Sequence, residues 1–98
     1  MKTSNSNLDT AAYLKASESY CFAIFPTGST QMRSRPMKYY ANPLIANGWF
    51  RIHRSYLVNP EFVLQISEDR ENIFLRNGTV LPISRRNRSE VIKWRNNK

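Results

Sequence analysis

Apolar residues in this chain recur mostly at a spacing of two, interrupted by short polar turns, a pattern that predicts strands more than helices. Residues 20–25 are apolar and aromatic and stop at Pro26, Thr27, Gly28 and Ser29, which predicts a hairpin to the weakly alternating segment 30–35. In that second arm Met32 is expected to face inward, and Arg33 and Arg35 outward. Residues 11–14 read as a short strand, and Ser17, Glu18 and Ser19 as a turn. Segments 49–53, 62–66 and 72–76 read as further strands. Asn77-Gly78 is the strongest hairpin signal, because both central residues of a type I′ turn need positive φ. Thr79, Val80 and Leu81 would pair back, and Pro82 marks an edge or a strand end.

Helical spacing is confined to two places. Pro36 suits the first turn of a helix carrying Met37, Tyr40 and Leu44, with Pro43 interrupting its middle and Asn47-Gly48 stopping it. A last helix runs from Arg86 or Asn87 to about Asn96, with Val91 and Trp94 inward. The fold class is therefore mainly β, with one or two short helices. Residues 1–8 are expected to form a flexible N-terminal arm and 9–98 a single domain, since 98 residues provide one modest core.

Composition adds a partner class. Hydrophobic residues at 41% and aromatics at 12% exclude a disordered tail, and 15 Lys+Arg against 7 Asp+Glu give a net charge of +8. The charge is uneven. From Ser84 onward Arg85, Arg86, Arg88, Lys93, Arg95 and Lys98 face only Glu90. Such a field favours polyanions through counterion release and steering. Cys21 is the only cysteine, so an internal disulfide and a multi-cysteine metal site are excluded, and a reducing cytoplasm fits. No apolar leader or membrane-length run is present, so the chain is expected to be cytoplasmic, with no membrane partner.

Catalytic chemistry finds little support. There is one histidine, and the carboxylates Glu68, Asp69 and Glu71 sit together only in a turn that reads as solvated. Cys21 and His53 are not placed together by anything in the sequence, and Gly28, Gly48 and Gly78 are isolated, without a phosphate-cradling spacing. No enzyme activity, cofactor or metal is expected. Nucleic-acid chemistry fares better. Arg suits bidentate contact with guanine, and Asn with adenine, in the major groove. Arg54, Arg85, Arg86, Asn87 and Arg88 fall at strand ends or a strand-to-helix junction, and the hydroxyls of Ser55 and Ser84 suit phosphate. Against this, Ser84 is equally read as a helix cap, Asn59 as the Asx turn before Pro60, and His53 as a support within the fold. With no long basic helix, DNA would be read by three loops, 17–21, 53–55 and 84–88, provided strand order brings them to one edge.

Two segments sharpen this reading. F-R-I-H-R-S-Y-L-V-N at 50–59 and R-N-G-T-V-L-P-I-S-R-R-N-R at 76–88 resemble the signature of the LytTR family of bacterial DNA-binding domains. L-K-A-S-E-S-Y-C-F at 14–22 resembles its entry hairpin more loosely. The resemblance implies an elongated stack of small antiparallel sheets, the output domain of a two-component response regulator. It also implies double-stranded promoter DNA as partner, read by loops in successive major grooves with bending. By position it names Arg54, Arg86, Tyr20 and Cys21 as base-contacting candidates. Lys15, His53, Ser55, Ser84, Arg85 and Arg88 are the phosphate-contacting candidates. Family members usually follow a receiver domain that drives dimerisation. This chain has no alternating βα segment to serve as one, so it reads as either a fragment or a stand-alone regulator, and the candidate partners are a second copy (a homodimer) on DNA repeats and a receiver on a separate or deleted segment. Two other readings stay open: a small RNA-binding β domain stacking bases on Tyr20, Phe22 and Trp49, and a β-edge protein-interaction module.

Overall fold

A computed structural model describes residues 8–96. Eight strands and two helices follow in the order β1 (Tyr13–Ser17), β2 (Tyr20–Ile24), β3 (Thr30–Arg33), α1 (Met37–Ala46), β4 (Phe50–His53), β5 (Tyr56–Val58), β6 (Val63–Ile66), β7 (Asn72–Leu75), β8 (Val80–Pro82) and α2 (Arg88–Asn96). They build two antiparallel sheets, one ordered β3-β2-β1-β5-β4 and the other β6-β7-β8. The layers stack into a body of 40 × 24 × 22 Å.

Alternation along the strands sets the layers. Leu14, Cys21, Ala23 and Leu57 share one face of the larger sheet and pack against Met37, Ala41 and Leu44 of α1, with Leu8, Ala11 and Trp49 closing the margin. On the opposite face Phe50, Ile52 and Val58 meet Val63, Ile73, Leu75 and Leu81 of the smaller sheet and Val91 of α2. The Phe50 ring stacks on Trp94, centroids 4.4 Å apart and planes 21° apart. Full burial of such side chains is worth roughly 1.5–3 kcal/mol each, so the two clusters clamp the larger sheet from both sides.

Several expectations are revised. Leu8 is buried in the core rather than in an arm; the rest of the expected arm, 1–7, lies outside the described residues. The first strand begins at Tyr13, because Ala11 and Ala12 are already buried packing residues. Met32 is 61% exposed and Arg33 half-buried, the reverse of the expectation. The register explains this: Arg33 opposes buried Cys21 and so shares its face, whereas Met32 opposes Phe22 on the uncovered side. Pro43 does not split α1, which is continuous; the proline and the Tyr39 four residues before it are both exposed, so the lost backbone bond falls on the solvent side. The 76–79 hairpin forms, but only Gly78 has positive φ (93°). The Gly78 N–H donates to Leu75 C=O at 3.0 Å and the Leu75 N–H to Thr79 C=O at 2.9 Å, the three-residue turn in which one glycine suffices. Tyr56–Val58, unforeseen as a strand, is the inner arm of the larger sheet's second hairpin, pairing with both β1 and β4.

Candidate nucleic-acid interface

Strand order decides where the candidate loops lie. β1 and β2 join through Glu18 and Ser19, and β4 and β5 through Arg54 and Ser55. Lys15 of β1 opposes Tyr56 of β5, and the Ala16 N–H donates to Ser55 C=O at 2.8 Å, so both tips leave the same end of the sheet. On the outer edge of β4 the Ser84 N–H donates to Ile52 C=O at 2.8 Å, bringing segment 84–88 alongside the second tip. The three loops therefore form one row. At about 4.8 Å per strand the first tip and the Ser84 segment are about 17 Å apart.

Both helices start at this end. α1 begins directly after β3 and returns to β4 at the far end. α2 begins beside Ser84 and runs back until Trp94 reaches Phe50. Their N-termini, each equivalent to about half a positive charge, add to the field of the loops. The opposite end holds the turns at 25–29, 47–48, 59–62 and 75–79 and is not strongly basic.

The tip at 54–55 is braced from its own strand. Arg51 Nε donates to the His53 carbonyl at 3.2 Å and Nη2 to the Arg54 carbonyl at 3.0 Å. His53 Nδ1 accepts the Ser55 N–H at 3.0 Å, and its ring lies against Tyr56 at 5.5 Å. Arg54 then projects into solvent with no side-chain partner among the described residues. Ser55 is half-buried at the tip. The sequence marks Arg51 only as a cation three residues ahead of Arg54 in a tight turn.

The third loop is held by its cap. The Ser84 hydroxyl bonds Asn87 Oδ1 at 2.7 Å and accepts the Asn87 N–H at 3.3 Å, organising a 3₁₀ turn over Arg85–Asn87 that feeds α2. Ser84 thus caps this turn, the role its place before the last helix offers. Arg85 and Arg86 are exposed, with unpartnered guanidinium groups among the described residues. Arg88 is engaged elsewhere: its Nη2 meets Glu71 Oε2 at 3.3 Å and ties α2 to the β6–β7 turn. That turn continues the row, because the Ile83 N–H donates to Glu71 C=O at 2.8 Å, and it brings Glu68, Asp69 and Glu71 beside Arg70. The Ser67 hydroxyl at 2.6 Å and the Glu71 N–H hold the Asp69 carboxyl below the usual carboxylate range. The acidic turn therefore bounds the cationic row on this side.

The first tip is mixed. Tyr20 is half-buried, its ring edge-on to Phe22 at 5.5 Å. Lys15 is exposed on the uncovered face between Phe22 and Tyr56. Cys21 is fully buried on the α1 face, where burial pushes its thiol up in pKa with Arg33 pulling weakly the other way, so it is withdrawn as a base contact. Trp49, at 4% exposed, lies under α1, so the three-residue stacking platform does not exist. Glu18 occupies the tip with φ 48°, a left-handed conformation unusual for glutamate. Among the described residues no His/Cys/Asp/Glu cluster could hold a metal, and no helix is long and apolar enough to cross a membrane.

Comparison with known proteins agrees with this fold. A search of curated proteins finds no match. Among solved structures, the chain is similar to the LytTr DNA-binding domain of a methyl-accepting/DNA response regulator from Bacillus cereus. The TM-score is 0.76 at 21% identity, covering 89% of this chain and 82% of that one. At that identity the likeness establishes the fold. The family model of the LytTr DNA-binding domain matches residues 2–96, nearly the whole sequence, and with the row of cationic loops in place the chain belongs to the LytTR family of DNA-binding domains.

Proposed function

We propose that this domain reads double-stranded promoter DNA with its loop end, as the DNA-reading part of a bacterial transcription regulator. Arg54 and Arg86 enter the major groove as base readers, because their guanidinium groups are exposed, unpartnered and carried on braced turns. Tyr20 is the third probe. Lys15, Ser55 and Arg85 meet phosphates beside them, while His53, Ser84 and Arg88 hold the loops that carry the readers. The loops are separated along the duplex, so they sample successive grooves, and bending the duplex brings it against all of them. Two copies on repeated sites would extend the reading frame of each.

One observation carries this reading: strand order sets three separately coded loops in a single row at the end where both helix N-termini lie. Selection of bound duplexes from a random pool tests it, with single-stranded RNA as competitor at matched salt. The expected result is an enriched duplex motif whose preference relaxes at one position in Arg86→Ala. No enriched motif, or RNA displacing every duplex, would overturn the reading.

A further inference from the structure

The row does not end at the first tip. β3 lies on the outer side of β2 with Arg33 opposite Cys21, so the chain leaves β3 at the loop end, through Ser34 and Arg35 into the start of α1. This edge is cationic throughout: Arg33, Arg35 and Lys38 stand there without a carboxylate, and the first turn of α1 has neither an acidic residue nor a side-chain cap. Arg35 is exposed, its guanidinium carbon 4.6 Å from the centre of the Tyr39 ring, and Tyr39 is itself 55% exposed. Tyr40 meets Tyr39 edge-on at 5.0 Å and limits where that ring can turn. A guanidinium held over an aromatic ring gives up part of its side-chain freedom and leaves its N–H groups available to an outside acceptor. It is thereby restrained in advance for the two parallel bonds that a phosphate accepts. Arg33 adds charge behind it. Its Nη2 donates to Gln31 Oε1 at 3.1 Å.

We propose that Arg35, held over the Tyr39 ring, is a fourth DNA contact that grips a backbone phosphate outside the three reading loops. The proposal rests on the duplex-binding reading above and extends it by one element. From β3 to the Ser84 segment is five strand spacings, about 24 Å. That corresponds to roughly seven base pairs at 3.4 Å each. The contact is to phosphate rather than to a base edge because Arg35 lies beyond the first tip, outside the row of readers. It therefore fixes register and carries no sequence preference of its own.

The test measures affinity for the selected duplex against salt concentration in the whole chain and in Arg35→Ala, Arg35→Lys and Tyr39→Leu. Arg76→Ala serves as a charge-matched control at the opposite end. Losing one phosphate contact lowers the slope of log K against log salt by about 0.9, which is roughly eightfold in affinity at 0.1 M salt. Arg35→Ala is expected to show that loss equally on specific and non-specific duplexes. Tyr39→Leu and Arg35→Lys should lose part of the affinity while keeping the charge, and Arg76→Ala should leave the slope unchanged. Arg35→Ala matching the parent, Arg76→Ala matching Arg35→Ala, or a changed base preference in Arg35→Ala would each overturn the proposal. Failure of the parent chain to bind any duplex would instead overturn the reading on which it rests.

Discussion

Replacing Arg51 with alanine separates positioning from contact at the second tip. Its guanidinium makes two bonds to backbone carbonyls, at 3.2 and 3.0 Å, and both acceptors belong to the turn that carries Arg54. Bonds from charged donors are worth roughly 1.5–3 kcal/mol when shielded. One of these two is exposed, so the pair together is expected to contribute about 1–2 kcal/mol. For a domain of this size that lowers Tm by roughly 5–10 °C. Arg54→Ala should leave Tm nearly unchanged and cost roughly 1–3 kcal/mol of binding to the selected duplex. If Arg51 acts on DNA only through Arg54, its affinity loss cannot exceed that of Arg54→Ala. Arg51→Ala/Arg54→Ala then binds no more weakly than Arg54→Ala alone. Fluorescence anisotropy at fixed salt on all four proteins closes the cycle, with thermal unfolding recorded alongside. Costs that add to within about 0.5 kcal/mol, or an unchanged Tm in Arg51→Ala, would refute the bracing argument.

Three further outcomes follow from the same geometry. Ser84→Ala removes the cap of the Arg85–Asn87 turn and should cost about 1 kcal/mol of stability, read as a lower denaturation midpoint in urea; an unchanged midpoint would deny the capping role. Glu18→Asn keeps a residue that tolerates the left-handed tip and removes the one carboxylate there, so duplex affinity should rise, most at low salt, in the same anisotropy titration. Asp69 has its folded pKa depressed, first by the Ser67 hydroxyl, so its contribution is present above the unfolded value of about 3.9 and is lost as pH falls through the folded value. The NMR titration of its carboxyl carbon should have a midpoint below that of an unfolded peptide, and a midpoint at or above it would contradict the Ser67–Asp69 bond.

The strands were legible wherever one face is buried and turn residues bound the segment, as at 20–24 and 72–75. Tyr56–Val58 escaped because three residues are too few to show a period, and its place in the sheet is fixed by pairing with β1, a non-local contact. Met32 and Arg33 were inverted because a weak alternation cannot set register; the partner strand sets it. The same parity argument, applied to Tyr20 and Cys21, would have placed the cysteine inward once Tyr20 is taken to face out. Arg54, Arg85 and Arg86 were legible as free cations at turns. The cap at Ser84 was legible as one of its two readings, whereas the roles of Arg51 and Arg88 were not, since each depends on which carbonyl or carboxylate the fold brings within about 3 Å. The cationic edge at Arg33, Arg35 and Lys38 was hidden because only strand order places it beside loops distant in sequence.

The claim that duplex DNA meets one end of this domain is tested most directly by amide chemical-shift mapping during titration with the selected duplex. Shifts are expected at 18–20, 54–55 and 84–88, with the turns at 25–29, 47–48 and 75–79 unaffected. Shifts concentrated at those opposite turns, or confined to the uncovered sheet face around Phe22 and Met32, would contradict it.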